Sequence, residues 1–370
     1  MFRTFRGHPM DDEDFMRRAI ELAERGRYSV RPNPLVGCVL VRDGKIIAEG
    51  WHDHLGGLHA EQMAIADAES RGVKTQGSIA YVTLEPCNHF GRTPPCSEAL
   101  MWAGVKKVVI GAADPNPIVR GGGLEALKRE GIDIEIGILE KECNQQMFAF
   151  MHWCKYRRPY VLLKAATDNN GRIDGDPEKP AVRFSSKESL EMVHEIRRDS
   201  MAIIVGINTV IRDNPKLTVR GEKISDNDVL PKRVVIDPRN RIPNDCYLMT
   251  TSDAETYLIN AEKYDSTDDK EHVNRIVLPS ENGKIDVKKI LDYLGDLEVQ
   301  TLLLEGGLET WKRFLEEKLV DSAHLCISKI ELDAKNEDYF NKSHLEQAGL
   351  IEKEQIKLGN DIISKWERNE

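Results

Sequence analysis

The sequence predicts an α/β protein built as two domains. Three observations carry that prediction. The chain has 370 residues, more than one domain of roughly 100–200 residues holds. Hydrophobic residues make up 40% of it, enough for packed cores and too many for a disordered chain. Short β-branched runs alternate with amphipathic stretches of helical length along the chain, the pattern of layered sheets with largely parallel or mixed strands.

The elements follow in order. Asp11 to Arg25 reads as an amphipathic helix with Phe15, Ala19, Leu22 and Ala23 on one face and Gly26 at its end. Arg31-Pro32-Asn33-Pro34 is a loop that two prolines hold out of helix. Val36 to Val41 is a buried strand, Asp43-Gly44 a hairpin turn, and Lys45 to Glu49 the return. His59 to Glu69 is helical, with His59 and Glu61 in its first turn and Met63, Ile65 and Ala66 toward the core. Ser78 to Leu84 is a strand, which leaves Cys87 just past its end. Ser97 to Ala103 is a helix with Cys96 at its start. Lys107 to Gly111, Gly122 to Arg129 and Ile132 to Ile136 add a strand, a helix and a strand.

Cys143 to Pro159 is apolar and aromatic, unlike a flexible linker. It reads as a helix packed on one or both domains, and the boundary is placed here, with domains over 10–154 and 155–370. A second alternation follows. Strands are expected at Tyr160–Ala165, Ala202–Val205, Arg233–Asp237, Thr256–Asn260, Arg275–Leu278, Thr301–Leu304 and His324–Ile327. Helices are expected at Lys187–Arg197, Val287–Leu294 and Glu309–Glu317. Lys263 to Lys270 is polar and reads as an exposed loop.

Charge and cysteine usage narrow the function classes. A net charge of −10 argues against nonspecific nucleic-acid binding, which needs a basic surface. No apolar run approaches the roughly 18 residues of a membrane helix, so no membrane association is expected. Met1 to Arg6 has no apolar core after it, and the seven cysteines are scattered and odd in number. Both fit a reducing cytoplasm.

One constellation carries chemistry. His59, Cys87 and Cys96 supply three zinc ligands and leave a fourth tetrahedral position for water. Glu61, two residues from His59, is placed to move protons to and from that water. His-x-Glu with a later Pro-Cys pair marks zinc deaminases that attack an amino-bearing ring carbon, although here the second cysteine comes much later than in that pattern. A structural zinc would want four protein ligands, and His52 and His89 are the only further candidates nearby. Both ligand stretches start helices, where thiolate is favoured over thiol. His52, His89 and Arg92 lie in loops that fold over the metal, where they suit an anionic or polar substrate. Asn33 and Asp114-Pro115-Asn116-Pro117 read locally as turns. In the second half, Gly206 to Val210, Asp213 to Arg220 and Glu305-Gly306-Gly307 follow strands. Paired glycines there let backbone approach a phosphate. Gly121-Gly122-Gly123 reads as structural.

The residues Arg31 to Cys38, His59-Ala60-Glu61, Pro86 to Cys96 and Asp114 to Pro117 closely resemble the bifunctional riboflavin-biosynthesis deaminase/reductase family. Gly206 to Val210, Asp213 to Arg220 and Glu305 to Gly307 resemble its reductase half. The resemblance implies a cytidine-deaminase-like three-layer α/β/α domain followed by a dihydrofolate-reductase-like α/β domain. It implies zinc-dependent deamination of a 2,5-diamino-6-ribosylamino-pyrimidinone 5′-phosphate, then NADPH-dependent reduction of the ribosyl group to ribityl. Glu61 would be catalytic, and Asn33, His52, His89, Arg92, Asp114 and Asn116 would contact the phosphorylated pyrimidine. Ala166, Thr209, Asp213 and Gly307 would hold NADPH. Arg197, Leu217, Arg220 and Glu305 would hold the second substrate, with Arg197 and Arg220 on its phosphate. The family also implies a homo-oligomer. The chain departs from the family at Asn170, Ala181 and Arg183, and Glu331-Leu332-Asp333 replaces a glycine-rich turn after Ile330. Two readings of the second half therefore stand: an active reductase, or a reductase-like domain whose activity is altered or lost. A zinc-bearing nucleic-acid deaminase or binding protein is the third reading, opposed by charge and cysteine spacing.

Overall fold

The computed structural model describes residues 9–88, 94–116, 121–220, 224–264, 269–333 and 339–369. It divides into two compact units, Met1–Tyr156 with Asp226–Val229, and Arg157–Ser225 with Leu230–Glu370.

In unit 1, Asp11 caps α1 (Asp12–Ala23). Its side chain accepts from the Asp14 N–H, and Asp14 returns the bond to the Asp11 N–H. Strands β1 (Gly37–Arg42) and β2 (Lys45–Trp51) form a hairpin. Asp43 and Gly44 turn it with φ of 53° and 70°, the left-handed pair that such a turn requires. Then follow α2 (Ala60–Ser70), β3 (Ile79–Leu84), α3 (Cys96–Trp102), β4 (Lys107–Ala112), α4 (Gly122–Arg129) and β5 (Asp133–Ile136). The sheet order is β2-β1-β3-β4-β5, antiparallel on the hairpin side and parallel from β3 to β5. Alternate strand residues feed two cores. Cys38, Leu40, Val82, Val108 and Ile110 pack with Leu100 and Leu127 on one face. Val39, Val41, Tyr81 and Val109 pack with Phe15, Met16, Ala19 and Leu22 on the other. The result is three layers.

Two expectations are corrected here. The buried face of α2 is Ala60, Glu61, Ala64 and Ala68; Met63 and Ala66 are only half-buried. Small residues four apart let the helix lie against β2. A Cβ on Gly50 would come within 2.3 Å of the Ala60 carbonyl oxygen and the Ala64 nitrogen. The 143–159 segment is not one helix but two, α5 (Glu140–Gln146) and α6 (Phe148–Tyr156), and Cys143 and Met147 enter the α1-side core of unit 1.

Unit 2 runs β6 (Tyr160–Thr167), α7 (Lys187–Asp199), β7 (Ala202–Gly206), α8 (Ile207–Asp213), β8 (Lys232–Ile236), α9 (Tyr247–Thr250), β9 (Thr256–Asn260) and β10 (Val273–Val277). A small hairpin of β11 (Ser280–Glu281) and β12 (Lys284–Ile285) leads to α10 (Val287–Asp296), β13 (Thr301–Gly306), α11 (Leu308–Glu316) and β14 (Ser322–Ile327). The chain closes with α12 (Lys342–Gln347), β15 (Leu350–Leu358) and β16 (Asp361–Arg368). The main sheet has order β10-β9-β8-β7-β13-β6-β14-β16-β15, parallel from β10 to β14 and antiparallel at β16 and β15. One face packs on Leu291, Leu294, Trp311 and Phe314 of α10 and α11. The other packs on Ile207, Val210 and Leu248 of α8 and α9. Among the described residues no helix is long and apolar enough to cross a membrane.

Candidate zinc centre and candidate reductase site

His59 is the N-cap of α2, not part of its first turn, and Cys96 is the first residue of α3. Cys87 lies three residues beyond β3. The turn that carries it is packed hard against α4, where a Cβ on Gly123 would fall 1.9 Å from the Pro86 carbonyl oxygen. These placements gather the three donors. His59 Nδ1 is 3.2 Å from Cys96 Sγ and 3.7 Å from Cys87 Sγ, and all three lie within 4.8 Å of one another. Zinc bonds of ~2.1 Å to nitrogen and ~2.3 Å to sulfur, at tetrahedral angles, separate such donors by roughly 3.6 Å. The residues fit a zinc ion in chemistry and in spacing.

Side chains that sequence reasoning missed hold the cluster. Gln62 accepts the His59 N–H at 3.2 Å and donates to the Pro94 carbonyl oxygen at 2.9 Å, joining the two ligand segments. The Ser97 hydroxyl donates to Asn88 at 2.7 Å. The expectation that the helix-start cysteine ionises more readily is reversed. The Cys96 thiol donates to Cys87 and holds that thiol down at about 4, while Cys96 itself is pushed well up by the same bond and by burial. The Cys96 N–H, at the open end of α3, points at Cys87 Sγ at 3.5 Å. The helix end serves the other cysteine.

Glu61 is 3% exposed. Burial first, and the neighbouring Cys87 second, push its carboxyl above the usual range, which suits a group that must both take and give a proton. His52 is buried, and its Nδ1 faces the Leu58 carbonyl oxygen at 2.9 Å. A carbonyl can only accept, so Nδ1 carries the proton. Burial lowers the His52 pKa and keeps the ring neutral, which leaves Nε2 bare to accept the Asn33 amide at 3.0 Å. The His52 ring stands edge-on to His59 at 5.4 Å. Asn33 and His52 are thus brought to the metal ligands. Asp114 and Asn116 follow β4 at the same end of the parallel strands as Cys87, and Asp114 Oδ1 accepts the Asn116 N–H at 2.8 Å. Glu85, also missed, is 3% exposed and accepts from Asp114 N–H at 3.3 Å and Gly121 N–H at 2.6 Å. His89 and Arg92 lie outside the described residues.

In unit 2 the named residues converge on the C-terminal ends of three adjacent strands, β6, β13 and β7. Ala166 is the last but one residue of β6, Thr209 and Asp213 are on α8 after β7, Glu305 and Gly306 end β13, and Gly307 caps α11. Gly306 and Gly307 have φ of 146° and 91°, and a Cβ on Gly306 would sit 2.9 Å from Thr209 Cγ2. That bare backbone beside a hydroxyl is a cradle into which a dinucleotide fits. Burial, then Asp174, raise the Asp213 carboxyl. Arg197 was expected on a phosphate, but it is engaged. Nε and one terminal nitrogen each donate to Glu305 at 2.6 Å, and the other donates to the Thr218 carbonyl oxygen at 3.1 Å. Burial pushes the Glu305 carboxyl up, and Arg197 more than offsets it, leaving it below its usual range. Arg220 has no carboxylate partner among the described residues. Burial, and then Arg197 and Arg183, lower its pKa, so it stands in a positive neighbourhood. Leu217 holds φ of 50° while almost fully buried, a strained backbone of the kind found at functional sites.

The departures from the family pattern have a structural counterpart. Asp168, fully buried, accepts from the Asn170 and Arg172 N–H groups at 2.8 Å and from Leu332 N–H at 3.0 Å. It ties the loop after β6 to the segment that stands where the family has glycines.

Comparison with known proteins agrees with both halves. Residues 9–112 match the cytidine and deoxycytidylate deaminase zinc-binding region, and residues 159–364 match the RibD C-terminal domain. The riboflavin biosynthesis protein RibD of Actinobacillus pleuropneumoniae is 39% identical over 86% of this chain and 84% of its own. That of Aquifex aeolicus is 34% identical over 96% and 98%. The solved RibD of Acinetobacter baumannii superposes with a TM-score of 0.83 at 33% identity, covering 97% of this chain and 99% of its own. A deaminase/reductase structure from Thermotoga maritima superposes with 0.82 at 32%, with the same coverage. With its three-donor metal cluster in the first unit, the chain belongs to the RibD family of bifunctional riboflavin-biosynthesis enzymes, each a zinc-dependent deaminase joined to a reductase.

Proposed function

We propose that residues 10–154 deaminate 2,5-diamino-6-ribosylamino-4(3H)-pyrimidinone 5′-phosphate and that residues 155–370 reduce the ribosyl group of the product to ribityl. The observation that carries the first step is a buried Glu61, its carboxyl raised above the usual range by burial, beside His59, Cys87 and Cys96. His59, Cys87 and Cys96 would hold zinc, whose Lewis acidity would bring the pKa of a water toward about 7. As the water oxygen bonds to the amino-bearing carbon, Glu61 takes one proton and gives it to the adjacent ring nitrogen; it then takes the remaining hydroxyl proton and gives it to the amino group as the C–N bond breaks, so that water is consumed and ammonia released. Asn33, whose amide nitrogen is committed to His52, presents Oδ1 to a donor on the pyrimidine. Asp114, Asn116, His89 and Arg92 complete the contacts, with Arg92 on the phosphate.

In the second unit, NADPH supplies the hydride. Ala166, Thr209, Asp213 and Gly307 hold it. Arg220 takes the substrate phosphate, while Arg197 aims Glu305, and Leu217 shapes the wall between them. The partner is a small phosphorylated pyrimidine and not a polynucleotide, a reading that the net charge of −10 supports. Seven free thiols suit a cytoplasmic setting.

Mass spectrometry of products from the diamino substrate, with and without NADPH, tests both steps. Without NADPH the product should gain one mass unit, as amino becomes carbonyl; with NADPH it should gain two more. A mass that stops at the first gain would leave the deaminase alone.

A further inference from the structure

Pro94 and Pro95 stand directly before Cys96, and neither has an N–H to give. Their backbone can be hydrogen-bonded only through its carbonyl oxygens. That of Pro95 accepts the Ala99 N–H at 3.1 Å, inside the first turn of α3. That of Pro94 accepts from the Gln62 amide at 2.9 Å. The Cys96 N–H points at Cys87 Sγ at 3.5 Å, and the Ser97 N–H donates to the Cys87 carbonyl oxygen at 3.2 Å. The two cysteine segments are therefore bound to each other and make one half of the ligand set. His59, at the head of α2, is the other half. Gln62 spans the two halves from outside the ring of donor atoms. Its amide oxygen takes the His59 N–H at 3.2 Å, and its amide nitrogen gives to Pro94. A flipped amide would set donor against donor and acceptor against acceptor, so one orientation is fixed.

We propose that Gln62 is a positioning residue that sets how long the three donors stay closed on their metal. An ion held by three side chains leaves once part of the set swings away. Within the cysteine half the Cys96 and Ser97 N–H groups resist that motion, and between the halves Gln62 does. Removing a group that orients metal ligands from outside typically costs about 10- to 100-fold in metal affinity. Here the cost falls on release, because the tether opposes opening while the donors themselves stay the same. The inference rests on His59, Cys87 and Cys96 holding zinc.

Transfer of zinc from the full chain to an excess of a chromophoric chelator, followed by absorbance, tests it, with thermal melting as the check on folding. Gln62→Met, matched in length, loses both bonds. Gln62→Glu keeps the acceptor for His59 and loses the donor to Pro94, while its negative charge favours retention of a cation. Both should release zinc about 10-fold faster than the parent, or more. Cobalt(II) loaded in place of zinc should give the same thiolate-to-metal absorption in all three proteins, the mark of an intact ligand set. Release at the parent rate from Gln62→Glu would overturn the proposal, since the lost tether would then not matter. Release at the parent rate from Gln62→Met would overturn it too, by reducing any change in Gln62→Glu to charge. A missing cobalt absorption in either variant would make Gln62 a requirement for the site and not its timer. Cys87→Ala separately probes the reading beneath. It should fall well short of one zinc per chain, and a full equivalent retained there would place the metal elsewhere.

Discussion

The two sites solve the same problem, holding buried charge, in opposite ways. In unit 1 the acidic groups Glu61, Cys87 and Cys96 crowd around a single histidine. There Cys96 keeps its proton and donates it to Cys87, and an added cation would take the place of that proton. In unit 2 the buried carboxylate of Glu305 brings its own counter-charge, Arg197, from 108 residues away in sequence. The first site is completed by an ion that can be removed. The second is completed by the fold itself. Local sequence encodes a site of the first kind well, whereas one of the second kind needs the tertiary structure.

That contrast predicts how each half fails. A zinc chelator should abolish deamination and leave NADPH oxidation with the deaminated substrate at its original rate. Parallel decay of the two activities would break the comparison. Glu61→Gln should keep one zinc per chain by elemental analysis and lower kcat for deamination by roughly 10²–10⁴-fold, the range for a lost general acid–base. Zinc loss in that variant would mean Glu61 is a ligand.

Unit 2 should fail through stability. Arg197→Leu strands a buried carboxylate and should cost about 3–5 kcal/mol, read by urea unfolding. Arg197→Leu with Glu305→Leu should recover much of this while remaining unable to reduce substrate. The pH dependence should change sign. With Arg197 present, Glu305 titrates below its unfolded value, so its contribution holds above about pH 4.3 and is lost as pH falls through the folded pKa. With Arg197 gone, burial, the largest influence on Glu305, is opposed only by the weaker pull of Lys164 and His194 and should raise the folded pKa. The variant should then gain stability as pH falls from 7 toward about 4.3. Parallel pH curves for the two proteins would mean that the pair is not electrostatically coupled.

What the sequence made legible follows the same division. Asp11 announces a helix start, Asp43-Gly44 a hairpin, and His59, Cys87 and Cys96 a metal, because each signal lies within a few residues. The stripe of Ala60, Ala64 and Ala68 was overlooked because alanine is weakly hydrophobic, and the face it forms depends on Gly50 opposite. The hairpin of β15 and β16 was overlooked because β15 is an edge strand. Its Glu352, Lys353, Glu354 and Lys357 blunt the edge and hide the strand signal. Helix α8, seven residues long, is too short to show a period. Asp168 and Glu85 act through backbone N–H groups 164 and up to 36 residues away, where sequence spacing carries no information.

Glu85 gives the finest test, since it joins an element the sequence announces to one it does not. It stands two residues before Cys87 and pins both ends of the segment from Asp114 to Gly121. Gln at this position keeps the volume and one acceptor. The Gly121 bond, at 2.6 Å the shorter, should claim the retained carbonyl oxygen, leaving the amide nitrogen opposed to the Asp114 N–H. One hydrogen bond lost from a charged acceptor is worth about 1.5 kcal/mol, or roughly a tenfold change. On the proposed function, in which Asp114 and Asn116 contact the substrate and not the metal, that change should fall on KM for deamination, with zinc content and reduction unaltered. If zinc is lost instead, Glu85 supports the Cys87 turn directly, and the metal site of unit 1 is less local than the comparison holds.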